Sequence, residues 1–238
     1  MSEPTEFPGP STRDCVLEAY RSGRQTFMGV DLLVASGALV PRPETELLGL
    51  TAQRLLMDMT AGDDANLRVI DMCCGSGNLA CALAAGDGRL RVYAADLTDG
   101  CVELSRRNID HLKLNGRVTV HQGDLFAPLE GLDLLGAVDM IVCNPPYIST
   151  ARLHKERITL LELEPIEAFD GGPYGLSIHL RVIKDAFRFL KPGRNLLFEI
   201  GLGQERQIKR LFDRARSYKE VYFIEDDAAR PRVAVAIS

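Results

Sequence analysis

From Leu67 onward, short apolar runs of strand length alternate with longer stretches whose apolar residues recur every three or four positions. Leu67–Met72, Leu90–Ala95, Val118–His121 and Val138–Cys143 read as strands. Ser76–Ala85 and Asp99–Leu114 read as helices, the second with Cys101, Leu104, Asn108 and Leu112 on one face. Farther along, Ser177–Leu190 and Gln204–Ala215 have helical periodicity, Leu196–Ile200 reads as a strand, and Val221–Ile224 with Val233–Ile237 form a closing pair. This rhythm predicts an α/β fold: a doubly wound, mostly parallel, seven-stranded sheet with helices on both faces. Sheets of that kind bind ligands beyond the carboxyl ends of their strands, near the point where the strand order reverses.

The N-terminal part follows a different pattern. Residues 1 to about 25 read as a disordered start followed by at most one short helix, and Phe27–Val34 alternates in a way that suits a small hairpin. Pro41-Arg42-Pro43-Glu44-Thr45-Glu46 opens a helix, since proline suits a first turn and acids suit its positive end. Leu47, Leu48, Thr51 and Leu55 carry the period to about Met57, and Thr60–Asn66 is a polar linker. The expected division is therefore a small N-terminal extension, 1–59, whose hairpin and helix cover the site, and a main domain, 60–238.

Composition narrows the function. The 238 residues carry a net charge of −5, with no Lys/Arg block on a predicted helix face, which argues against a broad nucleic-acid footprint. No apolar run reaches the roughly 18 residues of a membrane span. The start, MSEPTEFPGPSTRD, lacks the basic and apolar regions of a secretory signal, so a cytoplasmic location is expected. The six cysteines form no CxxC pair and the four histidines no HxxxH pair. Free, buried thiols and no metal site are expected.

Chemistry-bearing residues gather at the predicted strand ends. Asp71-Met72-Cys73-Cys74-Gly75-Ser76-Gly77 closes the first strand of the main domain, and its glycines allow a tight bend and a close ligand approach. Alone, such a segment is only a strand–helix turn. The next strand ends at Asp96, about twenty residues on, where a carboxylate can accept both hydroxyls of a ribose. The third is followed by Gln122-Gly123-Asp124-Leu125-Phe126, and three polar strand ends in register describe a nucleoside pocket. Here the chain resembles the class I S-adenosylmethionine-dependent methyltransferases, which have a Rossmann-like sheet. The resemblance implies S-adenosyl-L-methionine as cofactor, held by Asp71, Cys73, Gly75, Gly77, Asp96, Asp124, Leu125 and Asn144. Gly75 and Gly77 would lie beside its methionine part, Asp96 on the ribose, Asp124 on the adenine amine and Leu125 against the ring.

After the strand Val138–Cys143 comes Asn144-Pro145-Pro146-Tyr147. Two prolines with fixed φ and no N–H make a stiff turn. An amide or amidine nitrogen is planar and a poor nucleophile because its lone pair is delocalised. The Asn144 side-chain oxygen and the Pro145 carbonyl could each accept one of its N–H groups and leave its face free for a methyl donor. Orientation of this kind supplies roughly 7–11 kcal/mol of a barrier. Tyr147 could stack on the flat substrate. These residues, Asn144, Pro145 and Tyr147, are the expected catalytic set.

The Asn-Pro-Pro-Tyr turn marks methyltransferases acting on planar nitrogens, and further segments narrow the resemblance to the release-factor glutamine N-methyltransferases. They are the Pro41–Glu46 segment, Glu164-Pro165, Asp170-Gly171-Gly172, Gly175-Leu176, Phe198-Glu199-Ile200-Gly201 with Gln204, and Arg232-Val233. By that resemblance Phe27, Arg42, Glu44, Pro146, Tyr147 and Glu164 face the substrate, a peptide release factor. Two departures stand out. Cys73 replaces the family's first glycine in the cofactor turn, and only about 26 residues precede Phe27, where the family carries a helical domain that grips the release factor. A small amino-acid-like substrate, such as the guanidino group of arginine paired with Glu156, Glu162 or Glu164, is therefore an open alternative. A nucleic-acid amino-methyltransferase and a silent methyltransferase-like partner are the remaining ones.

Overall fold

The computed structural model describes residues 10–59, 66–155 and 164–238. The helix α1 spans Pro10–Ser22 and is followed by a two-stranded hairpin, β1 (Arg24–Phe27) and β2 (Val30–Leu33). Met28 (φ 46°) and Gly29 (φ 79°) form its two-residue turn, both left-handed as a right-twisted hairpin requires. The alternating stretch expected to be the whole hairpin is thus only the turn and second arm. A single 3₁₀ turn, Pro43–Thr45, leads into α2 (Glu46–Asp58).

The main sheet follows: β3 (Leu67–Met72), α3 (Asn78–Gly86), β4 (Leu90–Asp96), α4 (Asp99–His111), β5 (Val118–Gln122) and β6 (Val138–Cys143). Then come α5 (Thr150–Lys155), α6 (Ser177–Ala186), β7 (Leu190–Glu199), α7 (Glu205–Ala215), β8 (Glu220–Glu225) and β9 (Pro231–Ile237). The strand order is β5-β4-β3-β6-β7-β9-β8, parallel except for β9, which pairs antiparallel with both neighbours. The order reverses at β3, whose neighbours are β4 and β6.

Alternation along the central strands sends side chains to two apolar layers. Met140 and Val142 join Leu48, Leu56, Leu79 and Leu83 on one face. Ile141 and Cys143 join Val182, Ile183, Ile208 and Phe212 on the other. β6 is buried at every position, as expected of a parallel strand covered on both sides. Phe27, Leu32 and α2 pack into the first of these layers, so hairpin and sheet share one core.

Two further elements differ from what the sequence predicts. α6 ends at Ala186, short of Leu190, because Leu190 pairs with Val138 at the start of a ten-residue β7. The outer face of α7 carries exposed Arg206, Lys209, Arg210 and Arg214, a basic helix face that periodicity reading overlooked. Cys15 is exposed, Cys73 half-buried and the other four thiols buried; all six are free. No described helix is long and apolar enough to cross a membrane.

Candidate functional site

The turn after β3 reverses the chain through three left-handed residues, Cys73 (φ 58°), Gly75 (φ 55°) and Gly77 (φ 77°). A side chain at Gly77 would collide with Ser105 Oγ, 2.9 Å from where a Cβ would sit. At Gly75 nothing lies within 4 Å of that point, so its open side faces free space. Ser105 Oγ donates to the Gly75 carbonyl at 2.9 Å, and the Gly75 N–H donates to Asp96 Oδ2 at 2.9 Å. Thr98 N–H donates to Asp96 Oδ1 at 3.2 Å. Behind the turn, buried Asp71 accepts the Ala80 N–H at 2.9 Å through Oδ2, while its Oδ1 has no partner. Burial pushes the Asp71 carboxyl up to about 7, against the pull of that N–H.

The other acid lies at the surface. Asp124 follows β5 and pairs with Arg181 of α6 at 2.6 Å. Leu125, beside it, is left-handed (φ 50°) and buried.

At the end of β6, Asn144 belongs to a buried polar chain. Its Nδ2 donates to Thr45 Oγ1 at 3.0 Å, and Thr45 Oγ1 donates to Glu199 Oε2 at 2.8 Å. Tyr147 Oη donates to Glu199 Oε1 at 3.2 Å, and Arg232 approaches the same oxygen at 3.4 Å. Burial raises the Glu199 carboxyl to about 7, while the Thr45 and Tyr147 hydroxyls pull it down. Burial and then the Glu199 charge hold the Tyr147 phenol well above its ordinary range, so it stays a donor. Gln204 braces the turn from the far side, donating to the Tyr147 carbonyl at 3.0 Å and accepting the Gly201 N–H at 2.8 Å.

One cavity of about 440 Å³ joins these parts. Such a volume suits a ligand of nucleoside size and above. Cys73, Gly75, Asp96, Asp124 and Leu125 line it together with Asn144, Pro146, Arg42 and Thr45. Asp71, Gly77, Pro145 and Tyr147 are not among the lining residues. Glu44 is exposed and also off the wall.

Two expected substrate residues are corrected. Phe27 is 1% exposed and belongs to the core, where the hairpin's inward face carries it. Glu164 is buried with both oxygens engaged by its own chain: Oε1 accepts the Val40 N–H at 2.8 Å and Oε2 pairs with Arg42. It fastens the segment before α2 to the region after the Asn144 turn. Glu156 and Glu162 lie outside the described residues. Sequence reasoning assigned no role to Thr45 and Glu199; their presence in the Pro41–Glu46 and Phe198–Gly201 segments was the available signal.

Comparison with known proteins agrees with this architecture. A family profile described as "Methyltransferase small domain" matches residues 50–161. The release factor glutamine methyltransferase of Moorella thermoacetica is 36% identical over 217 residues, covering 91% of this chain and 73% of that protein. The enzyme of the same name from Rhodopirellula baltica is 34% identical, covering 89% and 70%. Among solved structures, a methyltransferase from Pyrococcus furiosus superposes with a TM-score of 0.61 at 17% identity, covering 95% of this chain and 98% of that one. The N-terminal domain of human METTL16 in complex with SAH gives 0.64 at 16% identity, covering 97% and 83%. At such identities the solved structures speak to the fold alone.

Proposed function

The chain belongs to the release factor glutamine methyltransferase family, and on that premise we propose that it methylates the side-chain amide nitrogen of a glutamine in a peptide release factor. The observation that carries this reading is that Asn144 lines the same cavity as Asp96, Asp124 and the open side of Gly75. Held there by Asp96, Asp124 and the Gly75 turn, S-adenosyl-L-methionine would supply an electrophilic methyl group: its C–S bond would break as the glutamine nitrogen bonds the methyl carbon, S-adenosylhomocysteine would leave, and the nitrogen's proton would pass to solvent.

The residues present fit that cofactor. Asp96 is held by two backbone N–H groups, and an ionised carboxylate has about four acceptor positions, so lone pairs remain for a ribose diol. Asp124 has Oδ2 paired with Arg181 and acceptor capacity left for an exocyclic amine. Gly75 leaves room for close backbone approach. Asn144 Oδ1 and the Pro145 carbonyl would accept the two N–H groups of the glutamine amide and hold its plane, so that the nitrogen presents its face. The stiffness of the Pro145-Pro146 turn keeps both acceptors in fixed relation.

The small-molecule alternative loses its clearest acid, since Glu164 is already satisfied by Val40 and Arg42. A direct test offers methyl-labelled S-adenosylmethionine to release factor, to release factor with the acceptor glutamine replaced by alanine, to free glutamine and to free arginine. Label is expected on the first alone. Label on free arginine would move the assignment to small molecules, and label on none would sink it.

A further inference from the structure

We infer that Thr45 and Glu199 are positioning residues whose hydrogen-bond polarity decides which end of the Asn144 amide faces the cavity. The inference rests on the proposed role of Asn144. An Asn side chain has a donor end and an acceptor end of nearly the same shape, and only its partners distinguish them. A substrate amide needs the acceptor end.

The direction is imposed from the far end of the chain. Ionised Glu199 can only accept, and Tyr147 Oη and Arg232 already donate to its Oε1. Thr45 has one hydroxyl proton and places it on Glu199 Oε2 at 2.8 Å. Its oxygen is then an acceptor toward Asn144, which must offer Nδ2, and does so at 3.0 Å. Oδ1 is left as the end turned away from Thr45. A protonated Glu199 could instead donate to Thr45, which could then donate to Asn144 Oδ1. The amide would turn over and present N–H groups to the substrate's N–H groups.

The groups around Glu199 bear on this switch from every side. Arg232 from β9 favours the ionised form, as do the Tyr147 and Thr45 hydroxyls and the more distant Arg42. Burial and Glu44 oppose it. His179 of α6, kept neutral because burial lowers it to about 4, meets Glu199 at its backbone carbonyl, at 3.0 Å, and not at its carboxylate. With the carboxyl raised to about 7, its titration falls in an accessible range.

The test compares Thr45→Val, which removes the relay but keeps the shape, with Thr45→Ser, which restores the hydroxyl. Thr45→Val is expected to lower kcat roughly 10- to 100-fold with little change in cofactor affinity. In the parent enzyme kcat is expected to fall on the acid side of neutrality; Thr45→Val should lack that fall, while Thr45→Ser recovers most of the turnover and that pH limb. Independently of activity, the side-chain amide signals of Asn144 in selectively ¹⁵N-labelled protein should titrate with Glu199 in the parent and in Thr45→Ser, but not in Thr45→Val. Amide signals that ignore pH in the parent, or titrate equally in Thr45→Val, would overturn the relay. Because that readout needs no substrate, a failure of the glutamine assignment would appear separately, as absent methyl transfer with the titration intact.

Discussion

The backbone N–H of Gly75 donates to Asp96 Oδ2 at 2.9 Å, tying the turn after β3 to the end of β4. Asp96 is therefore both a candidate ribose acceptor and an anchor for the turn. Asp96→Ala should weaken S-adenosylmethionine binding by about 100-fold or more, since hydrogen bonds to charged groups contribute about 1.5–3 kcal/mol each. Asp96→Asn keeps an acceptor for Gly75 and should lose only about tenfold, at roughly 1.4 kcal/mol per factor of ten. Calorimetric titration measures both, and unchanged affinity in Asp96→Ala would refute the assignment.

Cys73 holds φ at 58°, a conformation that costs an ordinary residue roughly 1–2 kcal/mol. Its thiol also contacts Cys143, so relief of strain and loss of that contact oppose each other. Cys73→Gly is expected to raise unfolding stability by up to about 1 kcal/mol, because relief of roughly 1–2 kcal/mol of backbone strain exceeds the roughly 0.4–1 kcal/mol that glycine's freedom in the unfolded chain costs. Urea denaturation decides it: a lower midpoint would mean that the sulfur contact dominates.

Arg42 and Glu164 form an ion pair in which the Glu164 side chain is fully shielded from solvent. Removing one partner of a buried pair leaves an uncompensated charge, at a cost of about 3–5 kcal/mol. Arg42→Met should destabilise by about 3 kcal/mol, because the Arg42 side chain keeps some exposure. The double variant Arg42→Met/Glu164→Gln should recover much of the loss, since no bare charge remains. Equal stability of the single and double variants would show that the pair's charge is not what matters.

Asp71 sets a pH dependence of stability. Its carboxyl titrates near 3.8 when free and near 7 when folded, chiefly because burial disfavours the charge. The folded state thus binds the proton more tightly than the unfolded one. Its contribution is complete below about pH 4 and is lost as pH rises through 7, a swing on the order of 4 kcal/mol. Asp71→Asn should therefore gain stability relative to the parent between pH 5 and pH 8. A constant difference between the two proteins would contradict this.

The local parts were legible in the sequence because their causes are local. Apolar runs such as Val138–Cys143 mark strands that both faces of the sheet bury. The glycine-bearing turn at Gly75, the acids at Asp96 and Asp124 and the Asn144-Pro145-Pro146 turn announce strand ends by residue type and spacing. Element ends were less legible wherever tertiary pairing prevailed over periodicity, as where Leu190 left its helix to pair with Val138.

Sequence alone therefore determined the order of strands and helices, the kind of turn at each strand end, and the family resemblance those turns carry. Only the tertiary structure decided which side chains complete them. Thr45 and Glu199 are 154 positions apart, and Arg42 and Glu164 are 122 apart. Burial gives these polar groups their force, since away from water each must find a partner on another element. That same requirement turned Glu164 from an expected substrate acid into a clasp. It left Thr45, between Glu199 and Asn144, to set the direction of the amide.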